Sequence, residues 1–71
     1  MSEKEQYYEY IKLQWDFIKR YLGRERNEQF WAEIIEDINK TVKSINPPDQ
    51  EYVKRCLLAI LDDFERKSKN G

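Results

Sequence analysis

The sequence predicts a small all-α protein, a three-helix bundle of up-down-up topology formed by residues 1–71 as one domain. Gly23 and the pair Pro47–Pro48 divide it into three segments, because glycine closes helices and proline interrupts them. Each segment repeats apolar residues every three or four positions, and no alternating stretch competes. Short connections make consecutive helices antiparallel. We therefore expect helices at about 3–22, 28–45 and 48–67.

The second segment has the clearest helical pattern. At 100° per residue its apolar side chains fall in one arc, and Asn27 is placed to cap the first turn by accepting a hydrogen bond from a free amide. The arc contains Phe30, Trp31, Ile34, Ile35, Ile38, Val42 and Ile45.

The third segment carries acidic residues at its start and basic residues at its end. Asp49 and Glu51 come first, and Lys67 and Lys69 come last, which is the order that a helix dipole favours. Its predicted apolar stripe consists of Val53, Cys56, Leu57, Ile60, Leu61 and Phe64.

The first segment contains "YYEYIKLQWDF", with five aromatic rings in eleven residues. Its apolar positions cover about 200° of a helix, whereas packing against one core needs an arc of about 100° or somewhat more. Leu13 lies beside the arc, and Tyr8 extends the first of its two rows outward. The first row is Tyr7, Ile11, Trp15, Ile18 and Leu22, and the second is Tyr10, Phe17 and Tyr21.

Two interpretations of this wide arc remain open. Helix 1 could lie between the other helices and bury the whole arc, with tyrosine hydroxyls at the rim. Alternatively, part of it is a protein interface, where tyrosine and tryptophan are enriched. The candidate interface residues are Tyr7, Tyr8, Tyr10 and Trp15, of which we expect the last three to be exposed. The partner would be a second copy of the chain or another protein, since symmetric dimers are the commonest oligomers.

Composition gives little support to an enzyme or a cofactor site. The chain has 13 basic and 14 acidic residues, a net charge of −1, no histidine and one cysteine. Histidine is the usual proton shuttle at neutral pH, and we expect Cys56 to be a small buried apolar residue rather than a nucleophile. The polar, acidic start and the lack of a long apolar run predict a soluble cytoplasmic protein with no membrane span. We expect no cofactor or metal.

The acidic residues have a simpler explanation than catalysis, because many precede a basic residue by four positions. That spacing favours ion pairs on exposed helix surfaces. The predicted pairs are Asp16–Arg20, Glu36–Lys40, Glu51–Arg55, Asp62–Arg66 and Asp63–Lys67.

The segment "KRYLGRER" is the one local excess of positive charge. Lys19, Arg20, Arg24 and Arg26 surround Tyr21, and basic residues with an aromatic between them can bind phosphate backbones. Cations are also favoured at a helix C-terminus. A nucleic-acid-binding accessory protein using residues 19–26 is therefore the alternative function.

The combination of "QFWAEIIEDINK" with the closing "CLLAILDDFERK" resembles a loose family of short helical proteins with no assigned activity, encoded on conjugative and other mobile elements of Gram-positive bacteria. The resemblance implies a bacterial cytoplasmic accessory protein and places no residue in a catalytic role. Together with the aromatic arc, it favours a small non-enzymatic protein–protein interaction module.

Overall fold

The chain folds into three α-helices. The computed structural model describes residues 2–70, and across them it contains no strand. The helices are α1 (Glu3–Tyr21), α2 (Glu28–Lys43) and α3 (Pro47–Asn70), and the molecule measures 41 × 18 × 16 Å. The predicted all-α class is confirmed.

Side-chain caps begin the first two helices. Ser2 Oγ accepts from the Glu5 amide at 3.2 Å, and Asn27 Oδ1 accepts from the Phe30 amide at 2.9 Å. The cap predicted at Asn27 is thereby confirmed. Each contact satisfies an amide that has no partner within the helix.

The ends of the helices follow from local chemistry. Gly23, just after α1, has φ +80°, a left-handed conformation that glycine adopts without steric cost. Helix α2 ends two residues earlier than predicted, because the amides of Ser44 and Ile45 bond to carbonyls three residues earlier, at 3.0 and 3.1 Å, which tightens the last turn. Helix α3 starts at Pro47, where the missing amide is not needed, and continues past residue 67 through basic residues that suit a C-terminus.

Contacts between the helices have the order expected of an up-down-up bundle. At the end of α1, the Tyr21 ring lies 5.6 Å from the Phe30 ring at the start of α2. At the other end of the bundle, the Tyr7 ring of α1 lies 5.7 Å from that of Tyr52 near the start of α3.

Tyr10 and Leu13, earlier in α1, line one cavity with Thr41 near the end of α2, and Arg26, shortly after α1, contacts Phe64 in the last part of α3. These contacts place α1 antiparallel to α2 and in the same direction as α3.

All three helices contribute to one buried core. Four further members of the predicted stripes are partly buried against it: Trp31, Val42, Ile45 and Ile60. Two others are less well covered: Ile35 is half exposed, and Cys56, which we expected to be buried, is only partly so. Both lie at the edge of their stripe, where neighbouring helices no longer cover them. The core consists of Tyr10, Phe17, Tyr21, Phe30, Ile34, Ile38, Val53, Leu57, Leu61 and Phe64.

Candidate interaction surface

The bundle buries one row of α1 and leaves most of the other in solvent. Tyr10, Phe17 and Tyr21, the second row, belong to the core. In the first row only Ile18 is partly buried against it. We call the rest, with Tyr8, the exposed row: its side chains are 50–60% exposed and comprise Tyr7, Tyr8, Ile11, Trp15 and Leu22.

Tyr10 corrects one of our expectations. We predicted it to be exposed, but only 8% of its surface is accessible. Its hydroxyl donates to Asp49 Oδ2 at 2.7 Å, and the Gln6 amide donates to the same oxygen at 2.9 Å. The hydrogen bond to the carboxylate, together with burial, raises the pKa of Tyr10. The Tyr10 ring can therefore be buried without leaving its hydroxyl group without a hydrogen-bond partner.

Tyr21 is held in the same way at the other end of α1. Its hydroxyl donates to Asp37 Oδ2 at 2.6 Å, and Thr41 Oγ1 donates to the second oxygen of that carboxylate at 3.2 Å. The pKa of Tyr21 is raised from 10.0 to about 12. Burial is the main cause, and the hydrogen bond to Asp37 is the second. Both tyrosines of the buried row thus have a carboxylate partner for the hydroxyl group.

This arrangement predicts a loss of stability at high pH. The folded state favours the neutral Tyr21 phenol, so its stabilising contribution is complete below pH 10 and is lost as the pH rises towards 12. We expect Tyr21→Phe to reduce the fall in the free energy of unfolding over this range, as measured by urea denaturation. Tyr8→Phe, which removes a hydroxyl from the exposed row, is the matched control and should follow wild type. An unchanged fall in Tyr21→Phe would contradict this role.

A groove between α1 and α3 adjoins the exposed row. It has a volume of about 580 Å³, and its walls include Ile18 of α1 and Leu22, the residue directly after it, with Ala59 and Ile60 of α3. Ala59 has a short side chain, so the groove is open to solvent at this position. Leu22 belongs both to the exposed row and to the groove, so the two adjoin, and Gln14, Asp63 and Lys67 supply the polar part of the groove's walls.

Two lysines border the exposed row on the side away from α3. Lys12 Nζ lies 5.7 Å from the centre of the Tyr8 ring, and Lys19 Nζ lies 5.7 Å from that of Trp15. At exposed sites such cation–π contacts are weak, about 0.5–1 kcal/mol. A partner could therefore displace them at low cost.

The cations of residues 19–26 all have partners within the chain. Lys19 pairs with Asp16 at 3.3 Å, and Arg20 reaches across to Asp37 on α2 at 3.0 Å. Arg24 pairs with Glu33 at 2.7 Å. The hydrogen bond from Arg24 is the main reason that the pKa of Glu33 is lowered.

Arg26 connects the α1–α2 loop to the end of α3. Its guanidinium donates to the backbone oxygen of Phe64 at 3.1 Å and to Ser68 Oγ at 2.8 Å. It also lies 4.8 Å from the centre of the Phe64 ring and 5.9 Å from that of Phe30. The basic segment thus holds the three helices together at this end of the bundle.

The predicted ion pairs along the helices are only partly present. Three of the five occur: Glu36–Lys40, Glu51–Arg55 and Asp63–Lys67. Arg66 contacts Asp63, three residues earlier, instead of Asp62. Asp16 likewise pairs with Lys19, since Arg20 is drawn to Asp37 on the neighbouring helix.

Within residues 2–70, no group of three or more potential ligands could hold a metal ion. No helix in that part of the chain is long and apolar enough to cross a membrane.

Tyr7, Tyr8 and Trp15, which we predicted as interface residues, all belong to the exposed row. Ile11 and Leu22 were not predicted and are similarly exposed. Ile11 lies three residues after Tyr8 and four before Trp15, and Leu22 lies seven after Trp15. These spacings could have identified both residues, because they place side chains on one helix face.

Comparison of the chain with protein-family models, with curated proteins and with solved structures gave no match.

Proposed function

We propose that this protein is a small protein–protein interaction module that binds through the exposed row of α1. The observation that carries the proposal is the exposure of five large apolar side chains on α1 and its C-cap residue, each half or more accessible. Three of them are aromatic, and tyrosine and tryptophan contribute strongly to binding because they bury a large rigid area.

The position of the exposed row supports this function. On the neighbouring face of α1, Tyr10, Phe17 and Tyr21 are buried in the core and hold the helix in place. A rigid helix presents its outward side chains in one arrangement, and less conformational entropy is lost when a partner binds.

The role we infer is non-enzymatic and cytoplasmic. The carboxylates of Asp37, Glu36 and Asp63 are engaged with neighbouring cations, and a free thiol at Cys56 is the ordinary state of cysteine in a reducing compartment. The likeness to mobile-element proteins favours an accessory role in bacteria. Nucleic-acid binding has less support, because Arg20, Arg24 and Arg26 contact other helices of the bundle and the chain has a net charge of −1.

Site-specific photocrosslinking in bacterial cells tests this proposal. A photoreactive phenylalanine analogue replaces Tyr8 in one variant and Glu36 in a matched control, whose side chain is 67% exposed on the outer side of α2. We expect discrete protein adducts from position 8 and none of them from position 36, because only the exposed row contacts a partner. Identical adducts from both positions, or none from position 8, would overturn the proposed function.

A further inference from the structure

We propose that a second copy of this chain covers the exposed row, with the two α1 helices packed antiparallel about a twofold axis. This inference rests on the proposed function and identifies the partner. Three features carry it: the spacing of the side chains along α1, the apolar area that they offer, and the charges beside them.

The side chains along the outer face of α1 have the spacing of a coiled-coil seam. Their separations are four, three, four, three and four residues, which is the heptad pattern of two helices that supercoil around each other. A helix that only covers a globular core has a broader stripe. We define the seam as Lys4, Tyr8, Ile11, Trp15, Ile18 and Leu22.

The apolar area of the exposed row is sufficient for a weak to moderate dimer. Each large side chain can bury on the order of 150 Å² or more, so five that are at least half exposed offer on the order of 500 Å² per copy. Two copies would bury about 1,000 Å², the lower limit for a specific interface. Contributions from the adjoining groove would raise this value.

Lys4 decides the direction of the second helix. In a parallel pair the two Lys4 side chains would meet within the seam, and like charges in contact are unfavourable. In an antiparallel pair Lys4 faces Leu22 of the second copy at the end of the seam, where its ammonium can extend into water. Trp15 then faces Ile11, and Tyr8 faces Ile18, in successive layers.

Charges at the edge of the seam are complementary in the antiparallel arrangement. Glu5, Lys12 and Lys19 occupy the edge away from α3, and all are exposed. Antiparallel helices bring Glu5 of each copy beside Lys19 of the other, giving two intermolecular ion pairs. Lys12 lies near its own symmetry mate on the axis, where its long side chain can turn outward.

The groove between α1 and α3 provides a place for an aromatic ring of the second copy. The layer that joins Tyr8 to Ile18 lies at this groove, which Ile18, Leu22 and Ala59 help to line. Because α1 and α3 run in the same direction, the incoming helix would be antiparallel to both. The dimer would thus pack four helices around the seam.

Charge exchange between positions 5 and 19 tests this inference by sedimentation equilibrium. In Glu5→Lys and in Lys19→Glu, both ion pairs become like-charged contacts, so we expect dimerisation about tenfold weaker than in wild type. The double variant Glu5→Lys/Lys19→Glu should return to within about threefold of wild type. Mixing the two single variants should give heterodimers in preference to either homodimer.

The double variant also separates dimerisation from effects on the helix itself. It carries the unfavourable dipole contacts of both single changes, so only a contact between copies explains its recovery. Glu36→Lys, with the same charge change on α2, is the control and should dimerise like wild type.

A monomeric wild-type chain at every concentration, or single variants that dimerise as tightly as wild type, would overturn the inference. If the photocrosslinks from position 8 then contain only other proteins, the proposed function stands without self-association. If position 8 gives no adducts either, both fail.

Discussion

Phe30→Ala is expected to remove a large part of the free energy of unfolding. Phe30 has no accessible surface, and its ring lies 4.8 Å from Trp31, 5.6 Å from Tyr21 and 6.4 Å from Phe64. Removing a buried phenylalanine costs about 3–5 kcal/mol. A chain of 71 residues has a total free energy of unfolding of roughly 4–10 kcal/mol. The substitution therefore removes a large part of the stability.

Urea denaturation followed by circular dichroism measures this effect. Ile35→Ala is the matched control, because Ile35 lies on the same helix and is half exposed. We expect the control to change stability by about 0.5 kcal/mol or less. A Phe30→Ala midpoint equal to that of wild type would show that this ring does not hold the three helices together.

Trp15→Glu is expected to abolish self-association and to leave the fold intact. Trp15 is 55% exposed and lies near the middle of the seam, where tryptophan typically contributes about 2 kcal/mol or more to binding. Each dimer loses two such side chains and gains two charges in an apolar layer. We expect the dissociation constant to rise by at least about a hundredfold.

Ile35→Glu is the appropriate control for this variant, since it places the same charge at a half-exposed apolar position on another helix. Sedimentation should show wild-type association for Ile35→Glu and monomers for Trp15→Glu, with equal helical content in both. If Trp15→Glu associates as strongly as wild type, the seam is not part of the interface.

The parts of the fold that depend on neighbouring residues could be predicted from the sequence. Asn27 caps α2 through the amide of Phe30, three residues later, and Gly23 supplies the left-handed turn after α1. The spacing of apolar residues by three or four positions likewise predicts the three helices from local sequence alone. These interactions involve residues that remain close in any helical chain, so no tertiary information is needed.

Which row of α1 turns inward could not be predicted in this way. Both rows contain tyrosine and large apolar residues, and their hydrophobic patterns are similar. The choice depends on Asp49, which accepts from Tyr10 39 residues earlier, and on Asp37, which accepts from Tyr21. Arg26 similarly meets Phe64 at a separation of 38 residues. Such pairings follow from the packing of whole helices.

The solution mass of the wild-type chain over a dilution series tests the central claim, self-association through the seam, most directly. We predict a concentration-dependent mass that rises from that of the 8.8 kDa chain to twice that value, since the seam is large enough for one additional copy. A mass that stays at one chain up to millimolar concentration would contradict self-association through α1.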